Sequence, residues 1–172
     1  MKKLAMAALS VLVMGCFAAA ALAQNPRATS SITIKGKTVS VEYGRPSLKG
    51  RTTDELLGRL PAGGAWRMGA DKSTTFKTGI DLAFGDAAVP AGEYSLWMVK
   101  GGDNWKLVFN KQHGQWGTEH DASQDFVSAP LTTSKAAAPV EMVTLTLRKA
   151  GAGGTLTIQW GTLEAVAKFT AK

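Results

Sequence analysis

The residues of this chain best suited to chemistry fall in three stretches. The first is Trp66-Arg67-Met68-Gly69-Ala70-Asp71. A guanidinium offers a planar fork to a carboxylate or phosphate, and a neighbouring indole offers a stacking face. With a glycine and an acid behind them, the pair can form one lip of a pocket. The competing use is internal: Arg67 ties down Asp71 or loop carbonyls while Trp66 plugs the core. The second stretch is Tyr43-Gly44-Arg45-Pro46-Ser47 with Lys49-Gly50-Arg51. Arg45, Arg51 and Arg67 together can build a cationic floor under an anionic ligand. Equally, Gly44 and Pro46 can turn the chain off a strand and leave Arg45 in water.

The third stretch, KQHGQWGTEHDASQD, holds both histidines, His113 and His120, beside Glu119, Asp121 and Asp125. Imidazole and carboxylate are a divalent-metal palette, with His113, His120 and Asp121 as its members, and a His-Asp pair serves general-base chemistry. The spacing matches no zinc signature, and neighbours such as His120 and Asp121 point opposite ways on extended backbone. A polar surface loop is the competing reading. Trp116, between Gly114 and Gly117, can stack on a sugar or cap the core.

Several chemistries have no motif. There is no phosphate-binding Gly-x4-Gly-Lys-Ser/Thr run and no Gly-x-Ser-x-Gly nucleophile elbow. Nothing among the 13 acids singles out a glycosidase pair. No nucleic-acid-binding module is recognisable, and the basic charge is scattered.

These residues need a scaffold, and the pattern around them is that of strands. The interval from Val41 to Thr75 is the longest without strand-like alternation. Tyr43, Leu48, Leu56, Leu57, Leu60 and Trp66 give it apolar surface to bury, which argues for order. Its one helical segment is Thr53–Leu60, capped by Thr52 or Thr53, with Asp54 and Glu55 in the first turn. Elsewhere, alternation marks Ile32–Lys35 and Val39–Tyr43 as a hairpin about Gly36. Further strands are expected at Thr74–Thr78, Ile80–Phe84, Glu93–Val99, Trp105–Asn110 and Asp125–Leu131. Past a connector at Ser134–Pro139, others follow around Val143–Leu147, Leu156–Trp160 and Leu163–Phe169. In Glu93–Val99 both faces are apolar, so this strand should be central and covered on each side. Nine or ten short strands with glycine-rich turns predict an all-β domain: an antiparallel β-sandwich or jelly-roll-like barrel with one long loop carrying a short helix.

The first 23 residues read as an export signal. Lys2 and Lys3 precede an apolar run from Leu4 to Met14, and Ala21-Leu22-Ala23 is a small-x-small cleavage site. Val13-Met14-Gly15-Cys16 resembles a bacterial lipobox, so a lipid anchor at Cys16 is one alternative; an uncleaved membrane anchor is the other. Removal of residues 1–23 leaves a single domain, 24–172, with no membrane span. That domain has no cysteine, and its formal charge falls from +7 to +5 with the loss of the two lysines. Disulfides and cysteine metal sites are thereby excluded from it. The positive balance favours anionic surfaces such as phosphate-bearing envelope polymers, or simply solubility.

Taken together, Arg27-Ala28, Tyr43–Arg51, Trp66–Ala70, Ser73–Thr75, Pro90–Leu96, Trp105, Phe109–Lys111, Gln115–Gly117 and Leu156–Trp160 resemble the bacterial family catalogued as domain of unknown function 2911 (DUF2911). The likeness covers nearly all of residues 26–170. It implies an exported, mostly β protein and assigns no activity. Asp71-Lys72 stands where Asn-Glu is commoner in that family, and Glu119-His120-Asp121 where a tyrosine-aspartate stretch is typical. A catalytic role shared by relatives at either place would be lost here.

The leading expectation is therefore a periplasmic or extracellular, non-catalytic binding module that needs no cofactor. Its ligand would be a small anionic molecule or an envelope glycan, held by Arg45, Arg51, Trp66, Arg67, Asp71 and Trp116. A periplasmic hydrolase or metal-dependent enzyme using His113, His120 and nearby carboxylates is one alternative. A structural or accessory envelope protein is the other.

Overall fold

The structure, a computed structural model, describes residues 24–101 and 104–172. The expected export signal and Cys16 lie outside the described residues, as does most of the Gly101-Gly102-Asp103 turn. The domain is all-β, built from two antiparallel sheets. The strands are β1 (Arg27–Ile34), β2 (Lys37–Gly44), β3 (Ala65–Trp66), β4 (Thr75–Thr78), β5 (Leu82–Phe84), β6 (Ala87–Val89), β7 (Gly92–Gly101), β8 (Asn104–Asn110), β9 (Asp125–Pro130), β10 (Thr132–Ala150) and β11 (Gly153–Ala171). The larger sheet runs β1-β2-β4-β7-β8-β9, with β3 on β7; the smaller runs β10-β11-β5-β6. Among the described residues no helix is long and apolar enough to cross a membrane.

Local chemistry explains most of these elements. The β1–β2 hairpin turns at Lys35 (φ 48°) and Gly36 (φ 73°), so both central residues are left-handed, as the twist of a two-residue hairpin loop demands. In β7, Tyr94, Leu96 and Met98 face the core while Trp97 is buried on the opposite face. Strands β4, β3 and β8 flank it, which makes it the central strand that its sequence predicted. Phe76, Phe84, Phe109 and Phe169 form the middle of the core. Phe109 stands edge-on to Phe76 at 5.6 Å and to Tyr94 at 6.0 Å.

The helix α1 is Thr53–Leu57, one turn shorter than expected. Thr52 caps it: its Oγ1 accepts from the Glu55 N–H, and the Glu55 carboxylate accepts from the Thr52 N–H. The chain then turns through Gly58 and Pro61 to reach β3, so no second turn forms.

The expected connector Ser134–Pro139 is instead part of β10. Its alanines and proline gave no alternation because the ladder there is interrupted. From Lys135 to Thr144 the strand takes nine steps while its partner β11 takes four, from Leu163 to Gln159. The released length is used elsewhere. Ser47 bridges Met142, the Leu48 N–H donates to the Glu141 carbonyl, and the Val143 N–H donates to the Pro46 carbonyl. The Arg45–Lys49 loop thus borrows hydrogen bonds that β10 would otherwise give to β11.

Candidate functional site

The Trp66–Thr75 run hangs from β7. Strand β3 pairs with Met98 and Val99, β4 with Gly92–Ser95, and the residues between leave the sheet and return. The Thr74 hydroxyl closes this excursion by donating to the Arg67 carbonyl at 2.9 Å. Within it Met68 (φ 50°) and Asp71 (φ 61°) are both left-handed. Met68 is fully buried, so packing holds a conformation that side-chain-bearing residues ordinarily avoid.

Glycines fix the excursion from three sides. A Cβ on Gly44 would stand within 2.9 Å of the Ala70 N and C atoms, and one on Gly69 within 2.9 Å of Thr74 Oγ1. One on Gly117 would lie 2.6 Å from Arg67 Cδ and 2.8 Å from the Asp71 carbonyl oxygen. The glycines of three separate sequence runs therefore act together, letting the backbones of β2 and the 111–124 loop press against the Trp66–Thr75 excursion.

Three of the predicted site residues come together. Arg51, Trp66 and Arg67 line a cleft of about 290 Å³ between α1 and the β3 end of the large sheet. Leu56 and Leu60 supply its apolar wall, and no carboxylate lines it. Its fourth polar member is Trp160 of β11, which stacks on Trp66 with centroids 5.5 Å apart and planes 11° from parallel. Trp160 is 6% exposed, yet its Nε1–H, buried, has no acceptor among the described residues. Both guanidiniums are held from behind. Arg67 Nε donates to the Gly69 carbonyl at 3.0 Å, and Arg51 Nε to the Leu48 carbonyl at 2.9 Å. Among the described residues neither has a carboxylate partner, and the terminal nitrogens of Arg67 donate to no protein acceptor. Loop carbonyls thus orient the two side chains and leave their charge unpaired.

The other predicted residues lie elsewhere. Arg45 runs along β10, its Nε donating to the Val143 carbonyl and its Nη2 to Thr144 Oγ1, both at 3.2 Å. Asp71 accepts from the Asn25 backbone N–H at 2.8 Å and holds the start of the domain in place. With Trp116, which is 44% exposed, it borders a separate pocket of about 210 Å³ that also includes Arg27 and Glu42. Trp160 was not expected at the site. Its place in the alternating run Leu156-Ile158-Trp160 marks it as a core residue, and the only sequence hint of another role is the Gly161 that follows it.

The two histidines diverge. His113 Nδ1 lies 3.6 Å from a Glu93 carboxylate oxygen. His120 stacks on Trp97 at 4.4 Å, with Nε2 2.9 Å from Asp125 Oδ1, and so covers the outer face of β7. Asp121 is occupied by the hydroxyl and N–H of Ser123, which hold its carboxyl below the usual range. Among the described residues no group of three or more His, Cys, Asp or Glu is placed to hold a metal ion. The palette of His113, His120 and Asp121 is not assembled as one site.

A family model described as "Protein of unknown function (DUF2911)" matches residues 25–169. The chain belongs to the DUF2911 family. No curated protein and no solved structure matches it. The runs by which this DUF2911 chain resembles its family include those that meet around the Trp66–Thr75 excursion: Tyr43–Arg51, Trp66–Ala70 and Gln115–Gly117.

The Arg45–Lys49 loop has a pH-sensitive tie. Glu141 accepts from the Ser47 hydroxyl, whose bond is the main reason its carboxyl sits below the ordinary value of 4.5, and then from the Lys49 N–H. Both favour the ionised form. A lowered folded-state pKa makes this contribution complete above 4.5 and lost as the pH falls through the folded value. Glu141→Gln is therefore expected to lower the urea midpoint at neutral pH, with the difference shrinking progressively as the pH is taken below 4.5. A loss that stays the same at every pH would refute this.

Proposed function

We propose that the protein is an exported, non-catalytic binding module whose ligand is a small anionic or glycan-like molecule held in the Arg51–Trp66–Arg67–Trp160 cleft. One observation carries this reading. Among the described residues, two guanidiniums without carboxylate partners border the same concavity, beside the stacked indoles of Trp66 and Trp160. Cationic donors left without a counter-charge in one cleft are what an anionic ligand completes. The apolar wall and the stacked indoles suit the face of a sugar ring, and the arginines suit its carboxylate or phosphate. Nothing in the cleft resembles a nucleophile with its base, so binding rather than turnover is what these groups support.

Titration calorimetry with acidic and neutral monosaccharides tests the reading. Galacturonate is expected to bind and galactose to bind at least about tenfold more weakly, the loss of one charge-assisted contact. Arg67→Ala is expected to weaken galacturonate binding by a similar factor with the melting temperature near wild type, because the side chain is only half-buried and donates to a single carbonyl. A large fall in melting temperature with unchanged binding would assign Arg67 to the architecture of the loop instead.

A further inference from the structure

We propose that this cleft continues past Arg51 into a second subsite, so that the ligand is a linear acidic glycan of at least two units. The inference rests on the binding role just given and adds a length and a polymer class to it. A second and larger cleft, about 540 Å³, opens on the other side of Arg51, and Arg51 lines both. Lys135, Asp54, Thr53 and Thr162 line it as well.

The second cleft is a product of the interrupted ladder. Lys135 and Val140 are successive partners of Leu163 and Gly161, so residues 136–139 stand off the ladder opposite the single residue Thr162. Gly161 has φ +54°, and a Cβ on it would lie 3.1 Å from Thr53 Oγ1 and 3.3 Å from Leu48. The bulge pushes one wall outward, and the bare glycine lets the loop before α1 close the floor. A sheet that gives up ladder hydrogen bonds at one place commonly does so beside a binding site.

The chemistry of the lining selects the ligand. Lys135 and Arg51 provide cationic points for carboxylates in both clefts, and among the described residues neither is ion-paired. Asp54 and the threonine hydroxyls accept from hydroxyl groups. A carboxylate at this position repels a bare polyphosphate but suits a polymer that carries sugar hydroxyls between its charges. Lys135, Arg51 and the indole pair therefore order themselves as charge, charge and stacking face along one path.

Calorimetry with galacturonate oligomers of one to four units, on wild type and Lys135→Ala, tests this. Wild-type affinity is expected to rise at least about tenfold from the monomer to the trimer, as the second subsite is engaged at high effective concentration. Lys135 is exposed, so its replacement should leave the melting temperature and monomer binding unchanged while abolishing the rise. A monomer bound as tightly as the tetramer, or a rise that survives in Lys135→Ala, overturns the second subsite and leaves the single-cleft reading standing. Tripolyphosphate bound more tightly than the tetramer overturns the glycan assignment. Failure of every oligomer, the monomer included, removes both readings together.

Discussion

Trp66→Ala is expected to cost about 4 kcal/mol of folding stability, the middle of the range for emptying a buried aromatic site. Trp66 is 8% exposed and belongs to the core cluster. Its loss removes one plate of the stack with Trp160 and leaves the second indole against a void. Equilibrium urea unfolding measures the cost, and a loss under about 1 kcal/mol would mean that the cleft collapses onto the space. The same residue is therefore wall and contact at once, and its alanine variant cannot report on binding alone. Trp66→Phe, which keeps an aromatic plate, is the variant to carry into titrations; Arg67 and Lys135, which are less buried, are the cleaner probes.

Gly44→Ala is expected to cost about 3 kcal/mol, the high end of overpacking. The obstacle is not backbone conformation, since Gly44 has no positive φ. It is space: the added methyl would enter the Ala70 backbone, which has no rotamer with which to yield. Gly50 makes the opposite case. Its φ is +78° and nothing lies within 4 Å of its would-be Cβ. Gly50→Ala should therefore cost only the left-handed penalty, about 1 kcal/mol. In a domain of this size each kcal/mol moves the melting temperature by about 2–4 °C, so thermal unfolding separates the two variants. Equal shifts would show that Ala70 moves aside, and with it the excursion that carries Arg67.

The fold was legible wherever one face of a strand meets the core, because alternation then survives in the residue types. Val143, Leu145 and Leu147, and Leu156, Ile158 and Trp160, read correctly for this reason. Ser134–Pro139 read as a connector because residues 136–139 are detached from β11, and without a ladder there is no alternation to see. The geometry of the candidate site was legible in part. Arg51, Trp66 and Arg67 were singled out by residue type and do share a cleft. Arg45 and Asp71 look no different in sequence, yet their acceptors and donors come from Val143, Thr144 and Asn25, distant in the chain. Trp160 went unnoticed since periodicity reports which face a side chain takes, not which neighbour it finds there. Partnerships of that kind are set by the crossing of two sheets, which no local window contains.

The rims of the two sheets carry a last implication. Strand β1, at one end of the large sheet, lies against β10 of the small one, and β9 lies against β6. The Leu147 N–H, on a terminal strand, ends on the Ser30 hydroxyl at 2.9 Å, and Pro130 packs beside Gly85 at the opposite seam. A stray polypeptide seeking to extend either sheet meets a side chain or a proline at these seams instead of a row of vacant amides. Seams occupied in this way disfavour strand addition there, and strand addition is the step from which fibres grow.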